Sequence, residues 1–233
     1  MILSSFDRGL IKQEGLKQLK VFVVGANGKI GKHLVQLLSD SNKYTVKAMV
    51  RKEEQAHILQ TLGVETAIVN LEDSVEEIAV CANGSDAIVF TAGSGGHTGA
   101  DKTLLVDLDG AVKTIEAAEK AKIKRFIMVS ALQAHRRENW NQAIKPYYAA
   151  KYYADKMLEQ SNLTYTIIRP GGLLDTSGPG TISVAENINS GTISREDVAK
   201  IIIASLEEGN TFYKAFDLVS GKIPIVEALK LIN

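Results

Sequence analysis

The stretch Val21-Phe-Val-Val-Gly25-Ala-Asn-Gly28-Lys-Ile-Gly31 decides how the rest of the chain is read. Its four leading apolar residues, three of them β-branched, suit a strand covered on both faces. From Ile30 onward the apolar residues recur at helical spacing, through Leu34 and Leu38. Three glycines at intervals of three therefore join a strand to a helix. The first makes the tight turn, the second lets backbone amides approach a phosphate, and the third permits close packing. The amides and dipole at the helix start can hold a pyrophosphate, with Asn27, Lys29 and Ile30 completing the candidate loop. A plain glycine-rich turn would carry the same letters. The strand before it and the amphipathic helix after it favour the dinucleotide reading.

Outward from this loop, short β-branched runs alternate with helical segments. Strands are expected over 21–24, 45–50, 65–69, 87–90, 125–129, 165–168 and 215–219, and helices over 30–38, 53–62, 75–81, 102–121, 148–159 and 195–206. This alternation predicts an α/β fold: a Rossmann-type, doubly wound parallel sheet in three αβα layers. A single domain is expected over 20–233, with residues 171–193, rich in Gly, Ser, Thr and Asn, as a small lid or hairpin over the C-terminal edge of the sheet. Residues 1–19 match no part of the pattern. They stay open between a short helix, an expression artefact and a disordered arm.

Bulk composition narrows the function class. The 27 basic residues balance 27 acidic ones, so no nucleic-acid or membrane-surface partner is expected. Cys81 stands alone, which excludes an internal disulfide, and its apolar neighbours suggest inert burial on a helix. No stretch has the features of a signal peptide or a membrane span, so the expected compartment is the cytoplasm.

The nucleotide is read from the end of the second strand. An acid there would accept from the ribose 2′-hydroxyl of NAD, whereas an arginine suits the 2′-phosphate of NADP. Arg51-Lys52 stands there, and Arg51 can fork onto a phosphate with Lys52 adding charge, so NADP(H) is favoured over NAD(H). A solvated basic pair is the plainer alternative.

Tyr147 and Lys151 form a Tyr-x-x-x-Lys pair at the start of a helix, just after Pro146. An ammonium beside the phenol is expected to lower its pKa towards a value useful for proton transfer. Tyr152 and Lys156 repeat the spacing, but Lys156 leaves barely one turn before Ser161, so the first pair is preferred.

The glycine loop, Arg51, the segments 95–102 and 107–111, the Tyr147–Lys151 pair, Tyr165-Thr-Ile-Ile-Arg-Pro170-Gly171 and 194–199 together resemble the atypical short-chain dehydrogenase/reductase superfamily. Within it, the likeness is to NmrA-like proteins and to biliverdin reductase B and flavin reductases. The resemblance implies that Tyr147 is the acid/base and that Lys151 also binds the nicotinamide ribose. It implies cofactor contacts at Asn70 and Leu71, where Asn replaces the usual Asp, at the turn Thr91-Ala92-Gly93, and at Pro170. Ser130 is the candidate third catalytic member. Many relatives carry a second, catalytic serine where this chain has Ala131.

Three functions follow from the resemblance: an NADPH-dependent reductase of a small carbonyl, quinone or flavin-like acceptor; an epimerase or dehydratase that retains its cofactor; and a non-catalytic NADP(H) sensor with a protein partner. The short lid argues against a large nucleotide-sugar substrate. No metal site is expected, since His97 and Asp101 lack a third ligand. The loop 94–99 is glycine-rich enough either to approach a ligand or to be merely flexible. His33, His57 and His135 are read as solvated, Trp140 as surface packing with stacking on a planar ligand as the alternative, and Ser194–Asp197 as a helix cap.

Overall fold

Strand β1 (Leu19–Val24) carries both halves of the core on one four-residue run. Val21 and Val23 join one buried cluster, while Phe22 and Val24 join the other. Successive strand side chains point to opposite faces, so an unbroken apolar run is the pattern of a strand covered on both sides. The computed structural model describes residues 17–232. Of the expected N-terminal extension, residues 1–16 lie outside the described residues.

The chain continues through α1 (Lys29–Ser39), β2 (Tyr44–Val50), α2 (Glu53–Gln60), β3 (Glu65–Ile68), α3 (Val75–Ala82) and β4 (Ala87–Phe90). Next comes a helical rod: α4 (Ala100–Lys102), a π-helical stretch (Thr103–Asp109) and α5 (Gly110–Lys120). Then follow β5 (Arg125–Val129), α6 (Lys145–Glu159), β6 (Thr164–Pro170), β7 (Gly172–Leu174), β8 (Thr181–Ala185), β9 (Thr192–Ser194), α7 (Arg195–Glu207), β10 (Lys214–Ser220), β11 (Ile223–Pro224) and α8 (Ile225–Lys230). The main sheet runs β11-β8-β10-β6-β5-β4-β1-β2-β3. From β3 to β10 every pairing is parallel, and β8 and β11 close the edge antiparallel. Residues of α1, α2, α7 and α8 build one core with one face of the sheet; those of α3, α5 and α6 build the other. This is the expected three-layer, Rossmann-type fold.

Because β1 pairs with both β2 and β4, the strand order reverses there, and a crevice opens beyond the C-terminal ends of those strands. Phe22, Phe90 and Phe126 are fully buried on the α3–α6 side and hold that sheet surface rigid, each by about 2 to 3 kcal/mol of burial.

Three local expectations change. The helix expected over 102–121 is interrupted by the π-helical stretch, which shifts Asp107 onto a buried position at 1% exposure. Only part of the segment 171–193 stands apart from the main sheet. β8 within it pairs with β10, whereas β7 pairs with β9 in a separate two-stranded sheet. Cys81 is half-buried rather than buried, because the inward face of α3 is formed by Ile78, Ala79 and Ala82.

Candidate functional site

The glycine loop is shaped by backbone contacts that side chains would obstruct. Gly25 has φ +85°, and a Cβ there would stand 2.6 Å from the Ala92 amide nitrogen. A Cβ on Gly31 would overlap the Gly25 carbonyl oxygen and lie 2.8 Å from the Ala26 Cα. The third glycine therefore lets the loop fold back against its own helix, a closer reason than strand packing. Gly28 is the N-cap of α1 and has no side chain to cap it. Asn27, Gly28 and Lys29 are exposed, while Ala26 and Ile30 anchor the loop in the core. This bare helix start is a cradle that fits a pyrophosphate.

The neighbouring strand ends complete the crevice. Arg51 and Lys52 are exposed beyond β2, and the Arg51 guanidinium makes no ion pair among the described residues. Beyond β3, the Asn70 side chain accepts a hydrogen bond from the Glu72 amide, and the Leu71 side chain is buried in the core. At the end of β4 the Thr91 hydroxyl donates to the Val24 carbonyl at 3.0 Å, which ties β4 to β1. Gly93 packs against Asp107: a Cβ there would meet Asp107 Oδ1 at 3.2 Å.

Helix α6 brings Tyr147 and Lys151 to the ends of β4 and β5. Lys151 is 3% exposed, and its Nζ donates to the Val129 carbonyl at 3.3 Å. The same nitrogen lies 3.3 Å from Asp107 Oδ1 and 5.7 Å from the Tyr147 ring centroid. Asp107 Oδ2 accepts from the Ser94 amide at 2.9 Å. Burial opposes the Lys151 charge, but Tyr147 and Asp107 outweigh it and hold the ammonium above its ordinary pKa.

The expected lowering of the Tyr147 pKa is not what the structure gives. Burial pushes the phenol above its ordinary range, and the opposing pull of Lys151 is offset by Asp107, Tyr148 and Asp155. The sequence motif supplied the cation and omitted its counter-ion.

Tyr152 and Lys156 are held elsewhere. Lys156 is at the surface, 2.6 Å from Glu159 Oε2, and Tyr152 packs under Trp140 with the Arg137 guanidinium 4.4 Å from its ring. Trp140 is 8% exposed, stacks on Tyr148 and donates to the Ala134 carbonyl, so its faces are filled by this chain's own rings.

Ser130 is 3% exposed at the end of β5. Burial raises the Asp155 carboxyl above its ordinary range against the opposing pull of Arg169 and Ser130, and neither Ser130 Oγ nor Asp155 Oδ1 completes a well-aligned hydrogen bond. Asp155 Oδ2 accepts from Arg169 Nε at 2.8 Å, both groups being buried. Pro170 follows Arg169 at the C-terminal end of β6.

The sequence analysis gave no site role to Asp107, Asp155 or Arg169, although Asp107 and Arg169 lie in segments that carry the resemblance. A signal existed for Asp155: with Tyr147 and Lys151 it continues an i, i+4 ladder along α6. Asp107 and Asp109 alternate with apolar residues, and nothing in that pattern says which of the two acids the π-helical stretch buries.

His135 also departs from expectation. It is mostly buried rather than solvated, with Nε2 3.3 Å from Asn187 Oδ1 and Nδ1 3.8 Å from Asp217 Oδ1. Asp217 and Gln133 in turn hold Ile188, pinning the end of the 171–193 segment over β10. At its other end Asp175 bridges Lys29 of the glycine loop and Arg195 of α7, each at 2.6 Å. Ser194 caps α7 through the Glu196 amide, while Asp197 accepts from the Gly180 amide. No helix among the described residues is long and apolar enough to cross a membrane.

Comparison with known proteins bears on this geometry. A family model described as NAD(P)H-binding matches residues 25–209. The chain belongs to the NAD(P)H-binding family. YhfK of Bacillus subtilis (strain 168), named an uncharacterized sugar epimerase, is 65% identical over 212 residues, covering 91% of this chain and 99% of its own. A solved structure from Bacillus halodurans, provisionally named an NAD-dependent epimerase/dehydratase, superposes with TM-score 0.86 at 40% identity, covering 91% of this chain and 99% of the other. ChuY, an anaerobillin reductase from Escherichia coli O157:H7, superposes with TM-score 0.76 at 25% identity, covering 88% and 98%. The family's relatives thus carry epimerase and reductase names. The family implies a bound dinucleotide, and the side-chain-free cradle at Gly25, Gly28 and Gly31 fits one.

Proposed function

We propose that this chain is an NADP(H)-dependent oxidoreductase that reduces a small carbonyl, quinone or flavin-like acceptor. The observation that carries the reading is the buried Lys151 ammonium set beneath Tyr147 at the strand ends that flank the glycine loop. NADPH bound there supplies the hydride. Gly25 to Gly31 hold its pyrophosphate by backbone amides, Arg51 and Lys52 meet the 2′-phosphate, and Lys151 orients the nicotinamide ribose. Tyr147, protonated at neutral pH, donates its proton to the acceptor oxygen. Asn70, Leu71, Thr91, Ala92, Gly93 and Pro170 are assigned to the cofactor walls.

A second reading, a sugar epimerase that retains its cofactor, is favoured by the name that YhfK carries. In that reaction the site must abstract a proton or hydride and return it. With the phenol held above its ordinary pKa, little phenolate is present at neutral pH to take a proton.

The test is NADPH absorbance against flavins, quinones and small carbonyls, with Tyr147→Phe alongside. Turnover that falls by about 10²-fold or more in Tyr147→Phe is expected for a positioned proton donor. Unchanged turnover in that variant removes Tyr147 from the chemistry. Tight NADPH binding without turnover of any acceptor removes the reductase and leaves a nucleotide sensor, whose partner would then be a protein.

A further inference from the structure

We propose that Asp175 holds the place of the cofactor's pyrophosphate: its carboxylate occupies Lys29 and Arg195 beside the open start of α1, and the dinucleotide takes both cations from it on binding. The proposal rests on the assignment of the pyrophosphate to the glycine loop and is independent of the reaction that follows. It adds Arg195 to the residues that meet phosphate and makes Asp175 an internal competitor.

Helices α1 and α7 pack side by side, and their first residues, Lys29 and Arg195, reach the same carboxylate. The two helix starts are finished differently. That of α7 is filled by its own chain, since the Ser194 hydroxyl accepts from the Glu196 amide and two acids, Glu196 and Asp197, stand in the first turn. That of α1 has no capping side chain and no acid in its first turn. Its free amides and dipole favour an anion. The anion that stands by it is Asp175, brought in by the segment after β7.

The pairing is two-pronged. Lys29 Nζ lies 2.6 Å from Asp175 Oδ2, and Arg195 Nη1 lies 2.6 Å from Oδ1. A phosphate group offers the same arrangement, with a separate oxygen for each cation. Arg195 Nη1 also donates to the Leu173 carbonyl at 3.1 Å, while Nε and Nη2 make no hydrogen bond among the described residues. A guanidinium with idle N–H groups can turn its fork onto a phosphate and make two bonds where it makes one to Asp175.

The flanks of Asp175 stay in place when it lets go. The Gly172 amide donates to the Gly191 carbonyl at 2.9 Å on one side. On the other, the Thr176 carbonyl accepts from the Ser194 hydroxyl at 2.7 Å and the Gly178 amide donates to Glu196 at 3.1 Å. The exposed Asp175 side chain can therefore swing into solvent without moving the segment. Its pair with Lys29 is solvated and weakly held, so a more highly charged pyrophosphate displaces it.

The experiment is equilibrium binding of NADPH and of NADH to the full chain, read by nucleotide fluorescence at one fixed salt concentration. Asp175→Asn is expected to tighten both nucleotides by about 5- to 10-fold, the low end of coupling between sites because this one is solvated. Asp175→Ser gives the same sign if asparagine disturbs the turn. In a chain that carries Lys29→Met and Arg195→Gln, the added Asp175→Asn change is expected to alter binding by less than about 2-fold, since no cation is left to release. Binding in Asp175→Asn and Asp175→Ser no tighter than in the wild type overturns the proposal. A gain that survives the loss of both cations overturns it too, because the general field of the mouth then accounts for it. So does a gain for NADPH alone, which moves the exchange to the 2′-phosphate. If no chain binds either nucleotide, the cradle falls and the proposal with it. The expected gains without turnover of any acceptor leave the proposal standing and remove only the reductase reading.

Discussion

The glycine loop and the floor beneath Tyr147 lie at opposite ends of one crevice, and they are made in different ways. The loop is a contiguous run whose shape comes from backbone meeting backbone: Gly25 against Ala92, and Gly31 against Gly25 itself. The floor is assembled from four distant segments, with Asp107, Val129, Lys151 and Arg169 meeting only after folding. Its charges are buried and paired, whereas those at the loop mouth, Lys29, Arg51 and Lys52, are solvated. A buried charge is costly without its partner, while a solvated one is screened and free to meet a ligand. The two ends therefore differ in what a single change can do.

The largest expected effect would break the floor. Arg169→Met leaves Asp155 buried without its cation, and a cost of about 3 to 5 kcal/mol is expected in denaturant unfolding. That carboxyl is raised by burial already, so the folded variant binds its proton more tightly than the unfolded chain does, and part of the loss should return as pH is lowered below neutrality. A variant as stable as the wild type at pH 7 would show that the pair carries no weight.

Next comes the loop. Gly31→Ala sets a Cβ against backbone that cannot move aside, with an expected cost of about 1 to 3 kcal/mol and loss of NADPH binding, read by unfolding and by fluorescence titration. Unimpaired binding would separate the loop from the cofactor. Smaller again is Arg51→Ala, expected to lower the preference for NADPH over NADH by about 10- to 100-fold, the worth of one lost charge-assisted contact. An undiminished preference would refute the 2′-phosphate assignment.

At the mouth, Lys29→Ala and Asp175→Ala should each leave the denaturant midpoint close to that of the wild type, because their pair is solvated and screened. A cost like that of Arg169→Met would erase the contrast between the two ends. The smallest effect concerns pH. Glu196 is held down to about 2 by Lys200, the Gly178 amide and Ser177, so its contribution is present above the ordinary carboxyl range and fades as pH falls through 4 towards 2. Melting temperatures across that window should fall slightly more steeply for the wild type than for Glu196→Gln.

Much of the fold was legible because its signals are local. Unbroken runs such as Ala87–Phe90 and Arg125–Val129 read as buried parallel strands, and they form at those bounds. The strand β8 was not legible. Its alternating Thr181–Ala185 lies in a segment rich in turn residues, and only pairing with β10 makes it part of the sheet. Trp140 and His135 were misjudged for a related reason. Each looks like a loop residue, yet Trp140 is buried under Tyr148 and Tyr152 of the helix that follows, and His135 is partly covered by Asn187 and Asp217 from far along the chain.

The sequence by itself determined the crevice and the residue types that edge it, since glycine spacing, strand runs and the Tyr147–Lys151 interval act over a few residues. Tertiary structure alone decided the electrostatics beneath Tyr147. Whether a lysine lowers a phenol's pKa depends on which carboxylate stands beside that lysine, and Asp107 arrives from 44 positions away in the chain. Charge interactions act through space, so only the folded chain fixes their sign at the phenol.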